Sequence, residues 1–560
     1  MAIPPLNKYG RYPRMAHWFN PILLFKLLVN VILSSIFGSY ADRRLMIAAL
    51  DTPNPQVLLD RAKAFKDTLA KGADDAIWLD FVADLGDGFD STYAVASLLA
   101  KESLQLAGQT LPRGQVLIMG GDEVYPKASE NAYRYQLRMP YVWAFPDPNP
   151  DSEKGVPLFA VPGNHDWYDG LVLFLAYFCG HKATRFGGWR AEQRRSYFAI
   201  QVTETWWLWA IDIQLADNID QPQFDYFTMI AQGMPPDSKI ILCSAEPGWL
   251  YTDTNSKSWD ITDYALGIAS EANKNLTIPV LLSGDTHHYS RYVGPNNTQF
   301  ITSGGGGAFL HPTHQLESSV VVNWVGTSRT LGLAAAYPSF DVSRQLVWRN
   351  LLFAIKNWDF SVLMGLVYWL LAIAVTLRDQ WDMYLFIAVV FGWSLTGYTT
   401  NQEKSYRPAV LITSALHALA HILVVISAAR WFATYNDSHF ALTGAWYSNW
   451  KWLGLLLVEM FPIGFLVGGS FFGWNMMLTC RYLRMNRNDA FSALRIGAYN
   501  NFMRLKIKED SIEAFAVGLE NVPDRDDWML NPKHKPNIPN EPRFIPRTPL
   551  QPHLIEKFRI

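Results

Sequence analysis

The spacing of hydrophobic residues divides the chain into two unlike parts, 40–340 and 350–480. In the first part, short apolar runs typical of strands alternate with stretches of helical periodicity, and polar residues follow each run. The predicted strands are "AIWLDFVAD", "QVLIMGGD", "PLFAVPGNHD", "WWLWAID", "KIILCSAEP" and "VLLSGD", and the predicted helix is "TYAVASLLAKESLQLAG". This alternation is typical of an α/β domain.

The second part contains four long apolar runs, at 360–377, 383–400, 408–429 and 452–478. A helix needs about 20 apolar residues to cross a bilayer core, so the runs predict four transmembrane helices. Buried helices of a soluble protein are the alternative. Basic residues precede the first span, lie in the loop between the second and third spans, and follow the fourth span. They are Arg344, Arg349 and Lys356, then Lys404 and Arg407, then Arg481, Arg484 and Arg487. Because Lys and Arg favour cytoplasmic loops, the N-terminal domain and the C-terminal tail are both predicted to be cytoplasmic.

Two further segments extend this organisation. Residues 22–38 are apolar except for Lys26, Asn30 and Ser34, which form one narrow polar stripe on a helix. An interfacial helix is predicted there, with a fifth span as the alternative. In residues 501–519, apolar and polar residues alternate. This pattern predicts a β-hairpin that turns near Glu509 and returns to the soluble domain. The proline-rich stretch that follows is predicted to be extended.

Three ionisable residues fall inside the predicted spans: His417, His421 and Glu459. Such residues are costly in a bilayer and normally have partners. If the third span ends near Arg430 and the fourth begins near Trp452, His421 and Glu459 lie at similar depths and are expected to meet. A proton or metal site that includes His417 is the sharper alternative.

Composition narrows the possible functions. The chain has 560 residues, with 48 Lys and Arg against 50 Asp and Glu, so no basic surface predicts a nucleic-acid partner. Its 3 cysteines have no metal-binding spacing and do not predict a disulfide framework. The 22 Trp, 25 Tyr and 32 Phe residues are numerous enough to indicate membrane interfaces as well as a core.

Candidate functional residues follow five of the predicted strands. Their motifs are "VADLGDG", "GGDEVY", "PGNHDW", "CSAEPGW" and "GDTHHY", which supply Asp84, Asp122, Tyr125, Asn164, His165, Asp166, Glu246, Asp285 and His287. Each motif alone is weak, but five in order, each after a strand, form a strong pattern. Because sites of open α/β sheets lie at the carboxyl ends of strands, these residues are expected to converge.

In this order, the motifs resemble those of the calcineurin-like metallophosphoesterases. The family pattern runs DxH, GDxxD, GNH[DE], a later His and GHxH; "DLG" and "GDEVY" are similar instead to the DxG and GDxxY of the purple acid phosphatase branch. The resemblance covers about residues 75–310. It does not cover the membrane region. For the soluble part it implies an α/β fold, an αββα sandwich of two packed sheets flanked by helices; the apolar runs add an all-α transmembrane helix bundle. The predicted organisation is therefore a membrane-associated segment 1–45, a metallophosphoesterase domain 46–345, a four-helix transmembrane region 350–480 and a cytoplasmic tail 485–560 whose hairpin returns to the domain.

The resemblance also implies a site for two metal ions. Asp122 would bridge them, Asp84 and His287 would hold the first, and Asn164, Glu246 and Asp285 would hold the second. Glu246 and Asp285 stand where the family has histidines, and carboxylates favour hard ions, so Mn, Fe or Mg is expected. Tyr125 would ligate only a strong Lewis acid such as ferric iron; a packed aromatic side chain is the alternative. A weakened or single-metal site is also an alternative.

The remaining candidate residues concern catalysis and substrate. His165 resembles the family's general acid or transition-state donor, and Asp166 would hold its other ring nitrogen. The glycines of "ITSGGGGAFLHPTH" would let backbone N–H groups approach an anion, with His288, His311 and His314 lining the substrate pocket. A plain flexible loop is the alternative.

These expectations define a leading function and its competitors. The leading hypothesis is a membrane-anchored, metal-dependent phosphoesterase that hydrolyses a phosphate mono- or diester at the cytoplasmic membrane face. Its partners would be the lipid bilayer and a phosphate-ester small molecule or lipid. The alternative is a non-catalytic membrane sensor that binds a phosphorylated ligand through a degenerate metal site. A third class is a transporter or redox protein that uses the intramembrane residues His417, His421 and Glu459.

Overall fold

The computed structural model describes most of the chain and divides it into two compact units. The described residues are 12–37, 43–44, 54–72, 74–147, 154–180, 182–213, 218–252, 256–272, 274–377, 381–400, 407–440, 450–535 and 541–560. The first unit comprises Met1–Ala16, Leu27–Phe340 and Ile496–Ile560, and the second comprises His17–Lys26 and Asp341–Arg495.

Two eight-stranded sheets form the first unit. Its strands are β1 Ile77–Val82, β2 Ser103–Leu106, β3 Gln109–Pro112, β4 Val116–Met119, β5 Val156–Ala160, β6 Arg185–Phe186, β7 Trp189–Ala191, β8 Phe198–Gln201, β9 Trp206–Ile211, β10 Lys239–Ser244, β11 Thr277–Ser283, β12 Tyr289–Val293, β13 Gln299–Ser303, β14 Ser319–Trp324, β15 Thr327–Tyr337, β16 Asn500–Ile507, β17 Ile512–Leu519, β18 Trp528–Leu530, β19 Phe544–Pro546 and β20 Pro552–Arg559. The sheets have the orders β20-β17-β16-β1-β4-β5-β7-β6 and β14-β15-β12-β13-β11-β10-β9-β8.

The sheets face one another across a shared apolar core, as an αββα sandwich requires. Phe81 of β1, Leu208 of β9 and Val280 of β11 belong to this inter-sheet cluster. Every residue of β1 is buried, as expected for a central strand covered on both faces. The α/β fold class is therefore confirmed.

Helices cover the outer faces of both sheets. The helices of the first unit, with one that begins in the second, are α1 Pro21–Phe37, α2 Pro55–Ala64, α3 Phe89–Ala100, α4 Glu130–Ala132, α5 Met139–Ala144, α6 Asn164–Trp167, α7 Val172–Phe178, α8 Gln221–Gly233 and α9 Ser258–Glu271. Tyr93 of α3 packs with Leu117 of β4 in one outer cluster. Phe227 of α8 and Leu266 of α9 belong to the outer cluster of the other sheet.

The predicted helix at 92–108 is right only in its first half. It ends at Ala100, and the hairpin formed by β2 and β3 takes its place. The turn of this hairpin lies at Ala107 and Gly108, whose φ angles are 48° and 74°. Two successive left-handed residues cannot continue a right-handed helix, and they match the tight turn of a two-residue hairpin.

The hairpin of β16 and β17 joins the first sheet through β1. The two strands pair from Asn500 with Leu519 to Ile507 with Ile512, and β16 runs antiparallel to β1. Arg504 of β16 is buried, and its Nε and Nη2 atoms bond the two carboxylate oxygens of Asp80 at 2.6 and 2.8 Å. This bidentate contact couples the C-terminal hairpin to the strand that ends beside Asp84.

The second unit is helical throughout its regular elements in the described part of the chain. Its further α-helices are α10 Phe340–Leu346, α11 Phe353–Lys356, α12 Trp358–Leu377, α13 Trp381–Thr400, α14 Arg407–Phe440, α15 Trp450–Ile463, α16 Gly469–Tyr482 and α17 Arg487–Leu494. Within the described part of the chain, three helical stretches are long and apolar enough to cross a membrane: Trp358–Leu377, Pro408–Phe440 and Trp450–Tyr482. The second predicted span, 383–400, falls on α13, half of whose side chains lie outside the described residues.

The expected contact between His421 and Glu459 is wrong. Glu459 accepts a hydrogen bond from the Nδ2 atom of Asn436 at 3.0 Å. His421 instead contacts the Tyr368 hydroxyl through Nδ1 at 2.8 Å and His417 through its Nε2 atom at 3.0 Å. The reason is helix length, because α14 continues to Phe440 instead of ending near Arg430. Its later turns supply the partner of Glu459.

Candidate active site

Three aspartates that follow strands have the same unusual backbone conformation. The φ angles of Asp84, Asp122 and Asp285 are 60°, 52° and 63°, in the left-handed region that few non-glycine residues adopt. Each residue turns the chain sharply where β1, β4 or β11 has ended. Such strain at three strand ends is typical of a functional site, because the surrounding structure must hold it in place.

The hydroxyl of Tyr125 contacts three residues of the predicted metal site. It is 2.8 Å from Asp84 Oδ1, 3.0 Å from Asp122 Oδ2 and 2.9 Å from His287 Nε2. A phenol has one proton and can donate to only one of these acceptors at a time. The side chain is fully buried, and its hydroxyl points into the acidic group instead of packing passively beside it.

These distances fit the ligand shell of one metal ion. Ligands bonded at about 2.1 Å and at right angles to one another lie about 3 Å apart. No group of three or more His, Cys, Asp or Glu side chains within the described ranges is arranged to hold a metal. Asp84, Asp122 and His287 do not form such a group by themselves; they share the Tyr125 hydroxyl as a common contact.

Asp84 carries a second indication of a cation. Its Oδ2 atom is buried and has no hydrogen-bond partner among the described residues. A Cβ atom added at Gly284 or Gly304 would lie 2.6 or 2.4 Å from this oxygen, so only glycine fits on either side. A buried, unsatisfied carboxylate oxygen is costly unless it is paired or bound to a metal.

The acidic residues raise one another's proton affinity. Burial, together with repulsion from Asp122 and Asp285, raises the pKa of Asp84 well above its ordinary value. Burial and repulsion from Asp285 raise the pKa of Asp122 to about 7. Burial lowers the pKa of His287 to about 3, which leaves a neutral imidazole with a nitrogen able to bind a metal. Such a group favours a bound cation, which would relieve the repulsion.

The two carboxylates that replace family histidines are also held in place. The Tyr251 hydroxyl donates a hydrogen bond to Asp285 Oδ2, and the Ser258 hydroxyl donates one to Glu246 Oε2. Burial, with repulsion from Asp285 and Asp122, raises the pKa of Glu246 to about 8. The repulsion shows that Glu246 lies within electrostatic reach of Asp285 and Asp122. Tyr251 and Ser258 carried no signal in the sequence, because neither lies in a motif.

Asn164 begins the short helix α6, which lies against Asp122. The backbone N–H of His165 donates to Asp122 Oδ1 at 2.9 Å, and a Cβ atom at Gly163 would overlap that same oxygen. The amide nitrogen of Asn164 donates to the Tyr168 hydroxyl at 3.1 Å. The amide is thereby oriented, and its oxygen is available to a metal.

The expected pairing of Asp166 with His165 is wrong. The Nδ1 atom of His165 lies 2.8 Å from the carbonyl oxygen of Pro126. Asp166 instead accepts hydrogen bonds from the backbone N–H groups of Gly163 and Glu123 and from the Tyr133 hydroxyl, at 2.9, 3.1 and 2.5 Å. The reason is that a carboxylate at the third position of α6 satisfies the free N–H groups at the helix start. Asp166 therefore positions two loops and does not touch the imidazole.

Glu123 is a further buried acid, which is not among the predicted site residues. It is fully buried beside Asp166, and burial followed by repulsion from Asp166 and Asp122 raises its pKa well above the ordinary value. Its place in "GGDEVY", next to Asp122, was the available signal.

The histidines expected at the substrate pocket do not share one environment. The ring of His311 stacks on His287 with centroids 4.0 Å apart, next to the Tyr125 group. His288 and His314 are buried, with 2% and 6% of their surfaces exposed, which leaves little surface for a substrate.

The glycine-rich loop packs against the first unit's interior. The N–H groups of Gly304 and Gly306 donate to the carbonyl oxygens of His288 and Ala83 at 3.1 and 2.8 Å. These two N–H groups therefore donate to backbone carbonyl oxygens within the domain, contrary to the expectation that they face an anion. The glycines are needed because side chains would overlap Asp84 and its neighbours.

Comparison with known families agrees with this geometry. The family model for the calcineurin-like phosphoesterases matches residues 77–289. Residues 77–289 form a calcineurin-like phosphoesterase domain. The match begins at β1 and ends at the first residue of β12, so it contains all the predicted metal ligands.

The family match identifies the calcineurin-like phosphoesterases as a whole and does not assign a branch of that family. The likeness to the purple acid phosphatase branch rests on "DLG" and "GDEVY" alone and stays a prediction. No curated protein matches the chain. The match does not include the helical second unit.

Proposed function

We propose that the chain is a membrane-anchored, metal-dependent phosphoesterase that hydrolyses a phosphate mono- or diester at the cytoplasmic membrane face. The observation that carries the proposal is the convergence of Asp84, Asp122 and His287 on the Tyr125 hydroxyl, inside a phosphoesterase domain. Three strained strand ends and a buried unsatisfied oxygen support it.

The residues would hold two metal ions in two overlapping sets. Asp84, Tyr125 and His287 form one set, Asn164, Glu246 and Asp285 form the other, and Asp122 has an oxygen for each. The bound ions would polarise the phosphoryl oxygens and acidify the attacking water. The oxygen-rich second set favours Mn, Fe or Mg.

His165 would act on the leaving oxygen. A carbonyl oxygen only accepts hydrogen bonds, so the contact with Pro126 places the proton on Nδ1 and makes Nε2 the unprotonated nitrogen of the neutral ring. Burial lowers the pKa of His165 to about 4. An anionic phosphate ester beside Nε2 would raise this pKa and favour the imidazolium that can donate a proton.

The membrane location rests on the helical unit and on its flanking charges. Three described helical stretches are long and apolar enough to span a bilayer. The basic residues around them favour a cytoplasmic phosphoesterase domain. An enzyme anchored on that face would meet both lipid-borne and soluble phosphate esters.

The direct test is hydrolysis by the purified full chain. p-Nitrophenyl phosphate and bis(p-nitrophenyl) phosphate should be hydrolysed after loading with Mn, Fe or Mg, and a chelator should abolish turnover. The variant Asp122→Ala, purified in the same way, controls for contaminating phosphatases. Phosphate-ester binding without turnover under every metal condition would favour the sensor instead.

A further inference from the structure

A second cavity lies in the first unit, between α2 and the sandwich. Its volume is about 290 Å³, and its walls come from α2, the following turn Phe65–Thr68, β5, the segment 192–197, β8 and α8. None of its lining residues belongs to the proposed metal site. The cavity is therefore a separate feature that the phosphoesterase proposal does not use.

The floor of the cavity is aromatic and continuous with the inter-sheet core. The Phe65 ring lies 5.3 Å from the ring of Phe159, and Phe159 lies 4.8 Å from Phe198, centroid to centroid. Phe159 and Phe198 are buried members of the core, and Phe65 packs against it. An apolar group in the cavity would gain the contacts of a protein interior.

The rim of the cavity is basic. Arg61, Arg194 and Arg195 line it, and Glu192 is its one acidic lining residue. The guanidinium of Arg195 lies 5.8 and 5.9 Å above the ring centroids of Tyr197 and Tyr226, which limits its movement. Glu192 lies 3.4 Å from the guanidinium of Arg190, which balances its charge from outside the cavity.

We propose that this cavity binds a single-chain anionic amphiphile, an alkyl carboxylate or alkyl phosphate. The apolar chain would lie on the phenylalanine floor, and the anionic head would pair with the arginines, which bind carboxylate and phosphate in a bidentate manner. The cavity lies at the lower end of the size range for ligand sites, about 300 Å³, which accommodates one short chain. The occupant could come from a membrane lipid or from a soluble metabolite.

Hydrogen exchange on the full chain in nanodiscs tests the proposal locally. The probes are octanoate, octyl phosphate and the neutral 1-octanol, with a chelator present so that metal-dependent binding does not contribute. At least one anion should slow exchange in peptides that cover 58–68 and 192–200, and octanol should do so much less. The anion that protects at the lower concentration identifies the head group.

Matched variants separate charge from shape. Arg61→Gln together with Arg195→Gln should raise the half-protecting concentration by about tenfold or more, the worth of one or two charge-assisted hydrogen bonds. Lys63→Gln, on the same helix but outside the lining, should leave it unchanged. Ala64→Trp, at an exposed lining position, should block protection while keeping every arginine.

Three results would overturn the inference: no protection of these peptides, equal protection by octanol, or protection that survives in both the double-arginine variant and Ala64→Trp. None of these results would bear on hydrolysis at the metal site, so this inference and the proposed function can fail independently.

Discussion

The Nδ1 atom of His165 donates to the carbonyl oxygen of Pro126, a residue on the loop that also carries Asp122 and Tyr125. The imidazole is therefore oriented by the same loop that would hold the metals. A backbone carbonyl oxygen only accepts hydrogen bonds, so this arrangement fixes the proton of the neutral ring on Nδ1.

His165→Ala is expected to lower turnover of an ester with a poor leaving group by roughly 10²–10⁴-fold, the usual worth of a positioned acid or base. Metal content should stay intact, because the imidazole itself is not a proposed ligand. Steady-state kinetics with elemental analysis of the same sample check both points. The matched change His553→Ala, on β20, should leave turnover unaltered. Full activity of His165→Ala on such an ester would contradict the assigned role.

Glu246→His should shift metal preference towards zinc. The change restores the family's imidazole at a position where a carboxylate favours harder ions. In an equimolar competition, the ratio of bound Zn to Mn should rise by about tenfold, a difference of 1.4 kcal/mol. Ser258→Ala is the control: it removes the hydroxyl that holds Glu246, so metal affinity should fall about 10–100-fold with the preference unchanged. An unchanged ratio in Glu246→His would place Glu246 outside the ligand set.

Arg504→Ala should loosen the C-terminal hairpin severely. It would leave Asp80 buried without its partner, at a cost of roughly 3–5 kcal/mol. Lys506→Ala on the same strand removes a more exposed ion pair with Asp74 and should cost at most about 1 kcal/mol. Hydrogen exchange of the β16 and β17 amides measures both effects. Equal effects of the two changes would show that the buried pair is not what holds the hairpin.

The strand ends of the site could be predicted from the sequence because their signals are local. An apolar run that stops at Asp84, Asp122 or Asp285 is visible without any tertiary information. The hydroxyls of Tyr251 and Ser258 could not be found in this way, since their partners come from other segments of the chain.

The two errors in secondary structure and membrane pairing have the same kind of cause. The apolar residues at 92–108 match a helical period, so they predict a single helix there. The apolar residues of a short hairpin can match the same period, and this pattern therefore does not reveal the left-handed turn at Ala107 and Gly108. The end of the third span was placed at Arg430 by its charge, but the helix continues to Phe440. Its last turns then give Glu459 a partner that hydropathy alone did not indicate.

Membrane topology has a direct test in cysteine labelling. Ser448→Cys, between the last two predicted spans, should react with an impermeant maleimide from outside the cell. Asn488→Cys, an exposed residue of α17, should react only after permeabilisation. The parent chain is the background control, because Cys243 and Cys480 are buried but Cys179 is only partly buried. The reverse labelling pattern would make the phosphoesterase domain extracytoplasmic.

The central claim is that Asp84, Asp122, Asn164, Glu246, Asp285 and His287, with Tyr125, hold a pair of metal ions, and elemental analysis of the purified full chain tests it most directly. After loading with Mn, Fe or Mg and removal of excess metal, the account predicts two ions per chain, the number that in-line phosphoryl displacement uses in such sites. Asp122→Ala, which removes the one carboxylate shared by both sets, should lose both ions. Ser290→Ala, a conservative change outside the proposed ligand set, should retain them. At most one ion per chain in the parent protein, or full metal content in Asp122→Ala, would contradict the account.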